Sequence, residues 1–168
     1  MLFDRIKSGY PGADEVFDSI RVGDNVVWQV TELSEYRLFA QPFADQAVKD
    51  GRNMVYIHFT RHEPLLSARP GLKIFEFDPD MGFEPFTVAI YNRITEEGPG
   101  TFYVFDCLSE LQSAWYTDQM MANFFRVTCP YLYELETVAY FPLLRSRPSF
   151  ASVARIRDTT QLLIDVYT

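Results

Sequence analysis

Val26-Val27-Trp28-Gln29-Val30, continued by Thr31-Glu32-Leu33-Ser34-Glu35-Tyr36-Arg37, is the stretch on which the fold turns. Val-Val-Trp is apolar at consecutive rather than alternate positions, the pattern of a strand covered on both faces. Beyond it the period changes. Leu38, Phe39, Phe43, Ala47 and Val48 recur at helical spacing and predict a helix over 35–50, which Pro42 should bend or shift at its start. Strand, short turn and helix together make the opening of a βαβ unit.

The alternation repeats outward from there. Strand-like runs at 25–30, 53–59, 72–77, 101–106, 137–143 and 160–167 are separated by helix-like stretches at 35–50, 83–97, 111–127 and 149–157. This predicts an α/β fold, a three-layer α/β/α sandwich around a mainly parallel sheet. The 111–127 stretch carries Leu111, Trp115, Ala122 and Phe125 on one stripe, with Met121 and Phe124 beside it. Such a wide apolar surface suits deep core or an interface, and Trp115, Tyr116, Met120 and Phe124 are the candidate contacts for a homo-oligomer or a neighbouring domain.

With 168 residues the chain has room for one domain, and 48% apolar and 16% aromatic residues suffice for a large dry core. The net charge is -8, and Arg37, Arg52, Arg61, Arg145, Arg147, Arg155 and Arg157 are scattered among acids, which speaks against nucleic-acid binding. Cys107 and Cys129 lie in apolar segments and are expected to be buried, reduced thiols in a cytoplasmic protein. The charged opening residues do not make a signal peptide, and nowhere do some 18 apolar residues follow one another, so neither export nor a membrane partner is expected.

In an open parallel sheet, ligands bind at the carboxyl ends of the strands. A phosphate-binding turn after the first long strand would need glycines to turn amides inward, a lysine for the phosphates and a hydroxyl for Mg²⁺. Thr31 to Arg37 has no glycine and no lysine, and Glu32 and Glu35 would repel phosphate.

The surrounding phrases nevertheless resemble a known family. Ser8-Gly9-Tyr10-Pro11-Gly12-Ala13-Asp14-Glu15-Val16 is similar to the T-G-I-P-G-L-D-E-L opening of KaiC/RadA-like ATPases of the RecA fold, and Arg21-Val22-Gly23-Asp24 to their R-G-S turn. Aligned without gaps, the family's G-x-x-x-x-G-K-T falls on Val30 to Arg37, with Val30 and Glu35 for the glycines, Tyr36 for the lysine and Arg37 for the threonine. Where the family carries paired glutamates after the second strand, this chain has Thr60, Arg61 and His62. Thr101 to Asp106, then Cys107-Leu108-Ser109, resembles the Walker B strand ending D-S-L-S, and the segment from Arg155 to Ile164 resembles the close of that core. The resemblance thus implies a P-loop fold whose Walker A motif is degenerate, with Asp106 the one nucleotide-machinery residue retained.

Phe3-Asp4-Arg5-Ile6-Lys7-Ser8-Gly9, Tyr103 to Leu111 and Arg157 to Leu162 also resemble the amino-terminal region of phosphoenolpyruvate synthase/pyruvate phosphate dikinase-like proteins. That likeness implies downstream domains of the same polypeptide as partners. The family's phosphoryl transfer between ATP and pyruvate maps onto no position here.

These readings combine into the expectation of a non-hydrolysing module, a pseudo-ATPase acting in assembly or regulation, with no catalytic residue and no cofactor. Either an Arg37–Asp106 ion pair or a water cluster is expected to fill the space where metal and phosphate would lie. The alternative is a sensor binding a nucleotide or anionic metabolite through Arg37, Arg61 and His62. His58 is expected to be a satisfied, partly buried histidine within its strand. Only two histidines, with no thiol or carboxylate at ligand spacing, argue against a zinc site.

Overall fold

The computed structural model describes residues 5–59, 62–107, 109, 117–146 and 148–167. Among them the chain opens with a two-stranded antiparallel ribbon, β1 (Arg5–Ile6) and β2 (Ile20–Arg21), around the short helix α1 (Pro11–Val16). The main body alternates: β3 (Asn25–Val30), α2 (Leu33–Lys49), β4 (Met54–Phe59), β5 (Leu72–Phe77), α3 (Phe83–Glu97), β6 (Phe102–Asp106), α4 (Asp118–Glu134), β7 (Val138–Leu144), α5 (Phe150–Thr159) and β8 (Leu162–Asp165). Six strands form one parallel sheet in the order β5-β4-β6-β7-β3-β8.

Every residue of β3 and β4 is buried, as expected of strands with helices on both faces. Alternate side chains feed two cores. Val26, Trp28, Tyr56, Val104 and Tyr140 meet Tyr36, Ala40, Phe43, Ala44 and Ala47 of α2 on one face. Val27, Ile57, Phe105 and Phe141 meet Phe86, Ile90, Phe124, Phe125 and Ile156 of α3, α4 and α5 on the other. The expected α2 stripe is rotated: Leu38 is exposed, and the sheet-facing row starts at Tyr36, because small alanines let the helix approach closely.

Pro42 lies inside α2, and Gly9 packs its backbone against it at a positive φ of 76°, where a Cβ would overlap the Pro42 carbonyl. Of the third predicted helix, 111–127, positions 111–116 lie outside the described residues, and the described helix extends past 127. α4 starts after Thr117, whose hydroxyl accepts the Met120 N–H, and it runs through Pro130 to Glu134. β7 pairs with β3 as far as Leu144 but leaves β6 after Tyr140, two residues short of Pro142, which has no N–H to give. Just past that point the Ser109 hydroxyl accepts the Leu144 N–H at 3.1 Å.

The edge strand β5 is only partly covered, exposing Lys73 and Glu76 and turning Phe75 under the Arg93 guanidinium, 3.9 Å from its ring centre. At the opposite strand end Glu97 gathers Lys73 Nζ at 2.7 Å and Asn53 Nδ2 at 3.0 Å, tying α3 to β5 and to the segment entering β4. Burial opposes ionisation of Glu97, but these donors and the Arg93 charge outweigh it and hold its carboxyl below the usual range. A depressed carboxylate stabilises the fold above its unfolded-state pKa, and the contribution is lost as pH falls through the folded value. The stability difference between wild type and Glu97→Gln should therefore be constant near neutrality and shrink on acidification below about pH 4. Urea unfolding between neutral pH and pH 3 measures it, and a gap that widens in acid would contradict the assignment.

Candidate functional site

The carboxyl ends of all six parallel strands open on one edge, and two clusters sit there. The first follows β3. Glu35, in the first turn of α2, folds its buried carboxylate back so that Oε2 accepts the Thr31 N–H at 2.6 Å and the Glu32 N–H at 3.3 Å. A carboxylate here also faces the positive end of the α2 dipole. The turn's amides thus already hold an anion belonging to the chain.

Tyr36, the next residue, is fully buried, and its hydroxyl donates to the Phe105 carbonyl at 3.1 Å. Burial, then the charge of Asp106, pushes the Tyr36 phenol well above its ordinary pKa, so it remains a neutral donor. Val30 is buried at the strand end, and Arg37 is exposed.

The second cluster is built by strand register. β4 and β6 are neighbours, and His58 pairs with Asp106 across them, which places the two side chains on one face. Asp106 is fully buried, and its Oδ2 accepts the Tyr56 hydroxyl, which in turn accepts the Leu65 N–H at 3.0 Å. Burial, then the Asp106 charge, pushes the Tyr56 phenol far above its ordinary range and keeps it a donor. From the loop after β4, His62 brings Nε2 to 3.0 Å from Asp106 Oδ1.

The remaining ring nitrogens settle the tautomers. His62 Nδ1 lies 2.8 Å from the Glu63 carbonyl and His58 Nε2 lies 2.8 Å from the His62 carbonyl. A carbonyl only accepts, so each of those nitrogens carries hydrogen. One donor atom from each of His58, His62 and Asp106 lies within 4.8 Å of the others. Chain spacing argues against a metal set, yet the fold brings both histidines of the protein onto one buried carboxylate.

No family model matches the chain, and no curated protein matches it either.

Several expected contacts are replaced. The Arg37–Asp106 pair does not form: Asp106 is held by Tyr56 and His62, while Arg37 points outward because the rotation of α2 that buries Tyr36 turns the next residue to solvent. Of the anion-binding set, His62 faces a carboxylate, Arg37 is exposed, and Arg61 lies with Thr60 outside the described residues. Phe124 is no interface residue. It is fully buried, with its ring 5.8 Å from Phe86 and 6.3 Å from Phe125, and Met120 packs half-buried on the same core. Trp115 and Tyr116 lie outside the described residues. Cys107 and Cys129 are buried and in no disulfide, and burial raises the Cys129 thiol far out of the reactive range.

Arg145 went unnoticed in the sequence, where nothing distinguishes it from the other dispersed arginines. It donates to Thr31 Oγ1 at 2.9 Å, Asp165 Oδ1 at 2.5 Å and the Val166 carbonyl at 2.6 Å, with its guanidinium 4.4 Å from the centre of the Tyr167 ring. Its position one residue beyond β7 lets it join the ends of β7, β3 and β8. Arg145 and Glu35 between them engage Thr31 through side chain and backbone.

Proposed function

We propose that this chain is a RecA/KaiC-like module without nucleotide turnover, acting in assembly or regulation within a phosphoenolpyruvate synthase/pyruvate phosphate dikinase-like polypeptide. One observation carries the nucleotide half of this reading: Glu35 occupies the amides of the turn where a phosphate would sit. A triphosphate would have to displace a buried carboxylate and then meet Glu32 without a lysine to offset its charge. The parallel sheet, the strand-turn-helix order and an aspartate ending β6 support kinship in architecture. The phrases shared with the synthase family support the wider context.

Thermal unfolding with ATP, ADP, AMP, phosphoenolpyruvate or pyruvate, each with Mg²⁺, tests it. A ligand at 100 times its Kd stabilises a folded domain by about 2.7 kcal/mol. The expected result is no displacement of the transition at millimolar nucleotide and no phosphate release. A rise with Mg·ATP that disappears in Asp106→Ala, accompanied by phosphate release, would refute the inert-module reading.

A further inference from the structure

We propose that His58, His62 and Asp106 form a binding site for a divalent transition-metal ion of the zinc class. The outer shell of such a site is already complete. Metal-binding histidines almost always donate their second ring N–H to a carbonyl or carboxylate, and ligating carboxylates are themselves hydrogen-bonded. Here His62 Nδ1 meets the Glu63 carbonyl, His58 Nε2 meets the His62 carbonyl, and Asp106 Oδ2 holds the Tyr56 hydroxyl. One potential ligand atom from each of the three residues then lies within 4.8 Å of the others: His62 Nε2, which would exchange its proton for the metal, with His58 Nδ1 and Asp106 Oδ1.

A proton shared between His62 and Asp106 accounts for their contact alone. It leaves His58 Nδ1 buried and, among the described residues, without a hydrogen bond, the exposed Glu76 carboxylate standing 3.7 Å away. Asp106 Oδ1, fully buried and 3.0 Å from His62 Nε2, lies in the same cluster. A buried imidazole nitrogen left so beside a buried carboxylate and a second imidazole needs a reason, and a cation bound by all three supplies it. Two imidazoles and one carboxylate suit zinc and its transition-metal neighbours, whereas Mg²⁺ and Ca²⁺ prefer all-oxygen sets. Three protein ligands leave a coordination position for water or a small ligand, and the partly exposed His62 side chain marks the side from which it can enter.

Tag-free protein stripped with chelator and titrated with zinc sulfate, with metal content measured after dialysis, tests the assignment. One zinc per chain is expected, with a raised thermal transition that magnesium does not reproduce. Cobalt(II) should give a nitrogen/oxygen d–d spectrum without a thiolate charge-transfer band. Loss of an outer-shell partner alone costs about 10–100-fold in metal affinity, so His62→Gln should weaken binding by at least about 100-fold. Tyr56→Phe, which keeps every ligand, should weaken it about 10-fold. Cys107→Ser should leave it unchanged.

The proposal is overturned by the absence of stoichiometric zinc, by zinc binding that survives both His62→Gln and Tyr56→Phe unweakened, or by loss in Cys107→Ser. Zinc binding and indifference to nucleotide are separate measurements, and either can fail alone.

Discussion

Asp106→Ala in the metal-free protein should lower stability by about 3–5 kcal/mol, the range for removing one partner of a buried ion pair. The carboxylate is wholly buried and accepts from Tyr56 while facing His62, so its loss leaves a phenol and an imidazole in the interior without their acceptor. Domains of this size are stable by about 5–15 kcal/mol, so the substitution would remove a large share of the total. The thermal transition should fall by roughly 6–20 °C. Tyr56→Phe removes one charge-assisted hydrogen bond and should cost about 1.5–3 kcal/mol. Calorimetry and urea unfolding check both. An Asp106→Ala protein as stable as wild type would mean that the aspartate is not anchored as described.

Trp28→Ala should be as costly, at about 3–5 kcal/mol. Trp28 is fully buried in β3, with its ring stacked on Phe39 at 4.2 Å and 16° and set against Tyr140 at 5.4 Å and Phe17 at 5.9 Å. Its neighbours come from α2, β7 and the segment after α1, elements fixed by the sheet and by Gly9 against Pro42, so the hole cannot close by a local shift. Trp28→Phe keeps most of the volume and should cost much less. Equal losses for the two variants would show that the site does not depend on shape.

The central strands were legible because burial on both faces leaves an unambiguous mark, consecutive apolar residues bounded by turn residues. Val26 to Val30 carries that mark, and β3, β5 and α3 fall where the sequence puts them. The helix faces were less legible. Leu38 and Tyr36 are both apolar enough to face the sheet, and the choice between them is made by how closely the alanines of α2 let it pack. That choice sent Arg37 to solvent and Tyr36 to the end of β6.

α4 accommodates Pro130 and runs on to Glu134, beyond the 127 at which the sequence pattern ends the helix. The Asp106 cluster was the least visible. His58, His62 and Asp106 have no characteristic spacing and meet only because β4 pairs with β6 in a register that chain order does not announce. In the sequence Glu35 reads only as a charge that would repel phosphate. Its further role as the turn's own anion depends on a hydrogen-bonding geometry that no residue pattern encodes.

The outer strand β5 also bears on how the protein behaves in a crowd. An unpaired strand invites another chain to add to it, and the residues that discourage this are charges set along its length. Lys73 and Glu76 stand in that position, and Arg93 roofs the ring of Phe75 that would otherwise be the greasiest foothold. Charges so placed disfavour the edge-to-edge addition of a second copy.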